Sequence, residues 1–225
     1  MRDSAAQLNF NPGACMSLFL TQSHILWSLA LLAFIGGYLS GSVPYGLLLG
    51  KLAGLGDIRQ SGSGNIGATN VLRIGGKKLA ALTLLLDALK GTVPVLVAKQ
   101  VHMDYAVLAA LGAFLGHLFP VWLRFKGGKG VAVALGITFA LSWQVGLILC
   151  LIWLAVAMIS QYSSLSALTA FALAPVIAGL LTADYQVMIT MAFLAVLIWI
   201  KHRENIKRLL NDTESKINLG GGQSP

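Results

Sequence analysis

Gly56-Asp57-Ile58-Arg59-Gln60-Ser61-Gly62-Ser63-Gly64-Asn65-Ile66-Gly67-Ala68-Thr69-Asn70-Val71-Leu72-Arg73 is a polar, glycine-rich stretch set between two long apolar runs, 25–50 and 78–100. How it is read decides the fold. A nucleotide-type phosphate loop would follow an alternating strand and end in Gly-Lys-Ser/Thr, and neither feature is present. The stretch is therefore a loop between two membrane helices. Gly62, Gly64 and Gly67 let the backbone come close to a ligand. Ser63, Asn65, Thr69 and Asn70 offer short hydrogen-bonding side chains, and Arg59 and Arg73 bracket them with positive charge. Successive N–H groups in such a loop form an anion-holding nest. The combination points to a phosphate cradle rather than a plain flexible connector.

The surrounding composition agrees with a membrane setting. Hydrophobic residues make up 56% of the 225 and charged residues only 11%, with a mean hydropathy of +0.77. Soluble domains carry about 25% charged residues. At about 20 residues per span the chain has room for roughly six to eight spans and for no large soluble domain. The net charge of +8 is gathered at the ends of apolar runs, where it sets topology and attracts anionic headgroups or substrates, so no nucleic-acid partner is expected. Cys15 and Cys150 suggest neither a disulfide framework nor a metal site. Residues 1–15 are polar and lack the apolar core of a secretory signal, which marks a disordered leader with Met16 as an alternative start. Residues 16–210 form a single membrane domain, and 211–225 form a flexible tail.

Seven apolar segments follow: 25–50, broken at Ser40-Gly41-Ser42-Val43-Pro44; 78–100; 104–123; 130–141; 145–161; 167–182; and 186–200. Pro44 should kink the first, with Ser40 and Ser42 available to the freed carbonyls. Asp87 and Lys90, three apart in the second, share a helical face. They must face the bundle interior or water, and structural pairing and a functional role are both open. With the N-terminus outside, 13 of the 16 Lys and Arg fall on the inner side. The positive-inside rule then favours an all-α integral membrane protein of seven transmembrane helices, N-out and C-in, with cytoplasmic glycine-rich loops.

This orientation gathers the chemistry on one face. The glycine loop, the turn Arg124-Phe125-Lys126-Gly127-Gly128-Lys129-Gly130, the turn Gln161–Ser166 and the cluster from His202 to Arg208 all arrive at the cytoplasmic side. A site for a small, multiply charged anion follows. Its cations are Arg59, Arg73, Lys129 and Arg203, with Arg suited to forked phosphate contacts and Lys acting as a point charge. His202 and His117 lie on the same face and serve either as base or as hydrogen-bond partner. Ser166 lacks a Ser-His-Asp arrangement or a nucleophile elbow, so ligand bonding or helix capping is its better role. No His is followed five positions on by Asp, as the His-x4-Asp acyltransferases require. The eight acidic residues form no magnesium cluster, and neither cofactor nor metal is expected.

Taken together the chain resembles the bacterial acyl-phosphate-dependent glycerol-3-phosphate acyltransferase family. The resemblance rests on Gly41-Ser42, Gly56–Arg73, Asp87-x-x-Lys90-Gly91-x-x-Pro94, Gly116-His117-x-Phe119-Pro120, Phe125–Ala132, Ser164-Leu165-Ser166 and His202-Arg203-Glu204-Asn205-Ile206. It extends from about residue 25 to 210. Gln161 stands where the family commonly has Arg, which removes one cation. The resemblance implies a multi-pass enzyme of the bacterial inner membrane, working as a monomer, with its active site at the cytoplasmic face. It would transfer a fatty acyl group from acyl phosphate to the sn-1 hydroxyl of glycerol 3-phosphate, releasing lysophosphatidic acid and phosphate, with its acyl tails among membrane lipids. The catalytic residues so implied are His202, Ser166, Lys129 and Asn205. The substrate-binding residues are Ser42, Arg59, Gly62, Ser63, Gly64, Asn65, Gly67, Thr69, Asn70, Arg73, His117 and Gly128. His202 or the donor's own phosphate could be the base, and the activated donor favours the latter. A transporter for phosphorylated solutes is the alternative, disfavoured by the featureless outer connections.

Overall fold

A computed structural model of the chain describes residues 12–217, which are helical with no strand. The helices are α1 (Pro12–Gly41), α2 (Tyr45–Leu52), α3 (Ala68–Lys99), α4 (Met103–Leu118), α5 (Val131–Leu141), α6 (Trp143–Ser160), α7 (Ser163–Thr182), α8 (Tyr185–Lys201) and α9 (Arg203–Leu210). Residues 1–11 of the expected leader lie outside the described residues, and α1 begins within its last four, at Pro12. Among the described residues five spans are long and apolar enough to cross a bilayer, and α8 with α9, bent by 60° at their junction, make a sixth if taken as one broken span. Helix α5 has 11 residues and is about 16 Å long, well short of a hydrocarbon core.

The α1–α2 break falls at Ser42–Pro44, because proline supplies no N–H and its ring displaces the preceding turn. Distant donors claim the freed carbonyls. Trp122 Nε1 donates to Ser42 O and Lys90 Nζ to Val43 O, each at 2.6 Å. The serines do otherwise: Ser42 Oγ donates back to Tyr38 O in the last turn of α1, and Ser40 Oγ to Lys90 O. Lys90 also pairs with Asp87 at 2.7 Å, both side chains almost fully buried. Charges inside a membrane protein persist when paired and bonded in this way. The pair thus has a structural use, tying α3 to the broken first span.

Helices α1 and α4 meet through small residues. A Cβ on Gly37 or Gly41 would lie 2.3 and 1.9 Å from the carbonyls of Ala109 and Ala113. One on Gly112 or Gly116 would strike the carbonyls of Phe34 and Tyr38 at 2.2 Å. In lipid, where no hydrophobic force drives helices together, such backbone approach supplies the packing. The second span starts earlier than the sequence suggested. Helix α3 begins at Ala68 and kinks at Gly76 (φ 78°, ψ 177°), a conformation that suits glycine. The apolar body beyond the kink is the span expected from residue 78.

Residues 211–217, the described part of the expected tail, do not hang free. Residues 212–217 fold back on the body, where Ile217 N–H donates to Gln161 O at 2.7 Å and Ile217 is buried. Arg73 Nη2 donates to Ser215 O at 3.0 Å. This return places Glu214, at 9% exposure, among the polar turns of the helix ends.

Candidate active site

The glycine loop, the turn before α5, the start of α7, the α8–α9 junction and the returning tail close around one cavity of about 260 Å3. At its polar end stand Ser63, Asn65, Gly67, Thr69, Arg73, Lys129, Ser163, Ser164, His202, Asn205 and Glu214. Leu84, Leu135, Cys150, Trp153 and Ala167 carry it on into apolar territory between α3, α5, α6 and α7. The cavity therefore offers an anion site at one end and hydrocarbon-compatible walls at the other.

Three helix N-termini reinforce the polar end. Helices α3, α5 and α7 all begin at the cavity, and none has a side chain capping its first turn. Unpaired N–H groups and the positive ends of the helix dipoles favour anions there. Arg73 adds a guanidinium whose Nε is buried without a partner.

Lys129 Nζ donates to Asn205 Oδ1, and Asn205 Nδ2 donates to Glu214 Oε1 at 2.6 Å. Glu214 also accepts from Ser164 Oγ at 2.8 Å and from Arg208 Nε at 2.7 Å. This chain fixes the Asn205 amide and, through it, the lysine. Burial pushes the Lys129 ammonium down to about 8, with help from Arg208 and Arg73 and against the pull of Glu214. Burial raises the Glu214 carboxyl, but its bonds from Asn205, Ser164 and Arg208 outweigh that and hold it below the usual carboxylate range.

His202 sits at the break between α8 and α9, where the apolar run 186–200 has ended. Its Nδ1 lies 2.8 Å from Ile198 O, and since a carbonyl only accepts, that nitrogen carries the proton. Nε2 is then left as an acceptor, suited to a hydroxyl rather than to a phosphate. Burial lowers the imidazole to about 4, the bond to Ile198 and Glu214 opposing and Lys129 assisting. His117 is buried, lines the cavity, and has an Nδ1 without a partner.

Several residues read as ligands from the sequence do other work. Arg59 forms a forked pair with Asp57 at the exposed rim, with contacts of 2.6–3.1 Å, and holds that carboxyl down to about 2. Asn70 is fully buried behind the loop, where Nδ2 donates to Ile58 O and Ser61 O while Oδ1 accepts from the N–H of Ser63. Gly62 packs on Asn70, and a Cβ there would lie 2.3 Å from Oδ1. Gly128 packs on His117, where a Cβ would lie 2.2 Å from Nε2. Ser166 is buried one turn into α7 and donates to Tyr162 O. Ser42 belongs to the α1–α2 break, and Arg203 is 77% exposed outside the cavity.

Gly64 also lies outside the cavity, but at φ +69°. Gly64→Ala is expected to cost about 1–2 kcal/mol, the penalty for an L-residue in the left-handed region. Steady-state kinetics should show a loss of about tenfold in kcat/KM with normal membrane insertion. Wild-type kinetics in this variant would remove the loop's conformation from the site.

The residues the sequence missed are Glu214, Ser163 and the apolar walls Leu84, Leu135, Cys150 and Trp153. Ile217, with Leu219 one of two large apolar side chains in a mostly polar tail, is the signal that could have revealed the docked Glu214.

Fold and site together define an integral membrane enzyme for a phosphorylated substrate with an apolar part. Comparison with known proteins narrows this. The profile of the family described as glycerol-3-phosphate acyltransferase matches residues 31–212. The glycerol-3-phosphate acyltransferase of Mesorhizobium japonicum is 58% identical over 191 residues, covering 85% of this chain and 97% of that one. The crystal structure of PlsY, an integral membrane glycerol 3-phosphate acyltransferase, in its glycerol 3-phosphate form superimposes with a TM-score of 0.81 at 41% identity. That match covers 84% of this chain and 96% of PlsY. The lysophosphatidic acid form gives 0.78 at 40% identity, over 84% and 95%. The chain belongs to the glycerol-3-phosphate acyltransferase family and is an acyltransferase enzyme.

Proposed function

We propose that the enzyme transfers a fatty acyl group from acyl phosphate to the sn-1 hydroxyl of glycerol 3-phosphate. The observation that carries this is the single cavity joining a cationic end, served by three helix N-termini, to apolar walls. Arg73, Lys129 and the helix N-termini hold the two phosphates and offset their repulsion. The acyl tail runs past Leu84, Leu135 and Trp153 toward the bilayer. The sn-1 hydroxyl oxygen attacks the acyl carbonyl carbon while the neighbouring sn-2 hydroxyl donates to His202 Nε2. The bond from that carbon to the phosphate oxygen breaks, and the sn-1 hydroxyl proton passes to the departing phosphate. An acyl phosphate is already activated, so catalysis consists mainly of positioning and charge neutralisation. Neither metal nor cofactor enters the scheme. Both the glycerol 3-phosphate and the lysophosphatidic acid forms of PlsY support this assignment of acceptor and product.

Phosphate release from acyl phosphate by the detergent-solubilised protein tests the reading. Release should require glycerol 3-phosphate and match lysophosphatidic acid formation one to one. A transporter of phosphorylated solutes would release none.

The enzyme works, in this reading, as a monomer in the bacterial inner membrane, crossing it seven times N-out and C-in, with the cavity at the cytoplasmic face. On a background lacking Cys15 and Cys150, Gln60→Cys and Asn211→Cys should react only with reagents that reach the cytoplasm. Val101→Cys, at the exposed far end of α3, should react from outside. Outside labelling of position 60 or 211 would invert this topology.

A further inference from the structure

The reverse side of α9 carries a second groove, of about 430 Å3, lined by Leu168, Leu173, Trp199, Ile206, Leu209 and Leu210. It lies between α7, α8 and α9, and its lining is almost wholly apolar. At 3.6 residues per turn, α9 divides its faces. Asn205 turns to the catalytic cavity, while Ile206, Leu209 and Leu210 turn to the groove. Arg203 and Lys207, four apart, stand together along the groove's flank.

These two cations are 77% and 70% exposed and share one carboxylate, Glu204, at 3.6 and 3.5 Å. One positive charge is left over at the groove's edge. Arg208, by contrast, turns away to Glu214. An apolar groove beside unbalanced cations matches an acyl chain joined to an anionic headgroup. A second copy of the chain fits poorly, because a two-fold contact through this face would bring the same cations together.

We propose that this groove binds an anionic phospholipid of the surrounding bilayer, one acyl chain lying against Trp199 and Ile206 and the phosphate on Arg203 and Lys207. The site is distinct from the catalytic cavity and does not depend on the reaction assigned there.

Trp199 is the reporter. The protein is placed in phosphatidylcholine nanodiscs containing either phosphatidylglycerol or phosphatidylcholine brominated in its acyl chains. Subtracting the emission of Trp199→Phe isolates the quenching of this one indole. Brominated phosphatidylglycerol should quench at about fivefold lower mole fraction, the worth of one net cation near a charged headgroup. The double variant Arg203→Gln/Lys207→Gln should lose that preference while quenching by brominated phosphatidylcholine stays unchanged. Equal quenching by both lipids in the wild type, a preference that survives in the double variant, or no quenching by either lipid would each overturn the proposal.

Discussion

Lys129→Ala should lower kcat/KM by about 30-fold or more, the equivalent of about 2 kcal/mol of transition-state stabilisation for truncating a buried charge contact. The ammonium lines the cavity and is aimed by Asn205, which Glu214 fixes in turn. Arg73→Ala should cost as much, since its guanidinium has a buried Nε free for an anion. Arg59→Ala should cost far less, because Asp57 already engages that arginine at the rim. Acidity supplies an independent check. Lys129 is held at about 8, and a lysine is charged only below its pKa. Anion binding should therefore weaken, and KM rise, as pH climbs through about 8. Lys129→Arg should move that alkaline limb upward, since a guanidinium stays charged. Wild-type kcat/KM in Lys129→Ala or Arg73→Ala would remove that residue from the site.

The reading of Arg59 and Arg73 as brackets of the loop shows what a linear pattern can carry. Glycines, hydroxyls and flanking cations announce a phosphate loop through composition alone, and Ser63, Asn65, Gly67, Thr69 and Arg73 do meet in the cavity. Which arginine faces inward depends on the turn at Ile58–Gln60, which brings Arg59 back onto Asp57. No periodicity encodes that. The same holds for α7. A turn rich in serine was visible, but Ser163 and Ser164 face the cavity while Ser166 bonds back to Tyr162. A helix advances about 100° per residue, so the choice among neighbouring serines hangs on where its first turn begins.

Apolar runs made the helical membrane fold legible, because lipid leaves the backbone few other ways to satisfy its own hydrogen bonds. The α1–α2 break was legible too, through Pro44. Its partners were not, since Lys90 and Trp122 reach Val43 and Ser42 from 47 and 80 residues away. Glu214 was hidden for a similar reason. Its segment is polar and short, held in place by the buried Ile217, by the bonds to Gln161 and Arg73, and by the bonds Glu214 accepts from Asn205, Ser164 and Arg208.

His202→Ala should raise KM for glycerol 3-phosphate by about tenfold or more, the cost of a lost hydrogen bond in a buried site, while kcat changes much less. Nδ1 is committed to Ile198 O, so Nε2 meets the substrate as an acceptor and orients it through the sn-2 hydroxyl. As an obligatory base it would be poorly matched to neutral pH, since burial holds the imidazole at about 4. The carboxylates do not replace it. Asp57 is held at about 2 on the rim, and Glu214 is ionised and occupied by Asn205, Ser164 and Arg208. The departing phosphate is the better acceptor: it adjoins the acyl carbon, and the second ionisation of a phosphoryl group falls at about pH 6. The acidic limb of the wild-type pH–rate profile should therefore lie near that value rather than near 4, and it should persist in His202→Ala. If His202 is the base, kcat will instead fall by about two to four orders of magnitude and the limb will vanish with the imidazole. That outcome, with glycerol 3-phosphate still bound normally, would transfer the proton from the substrate's phosphate to the protein.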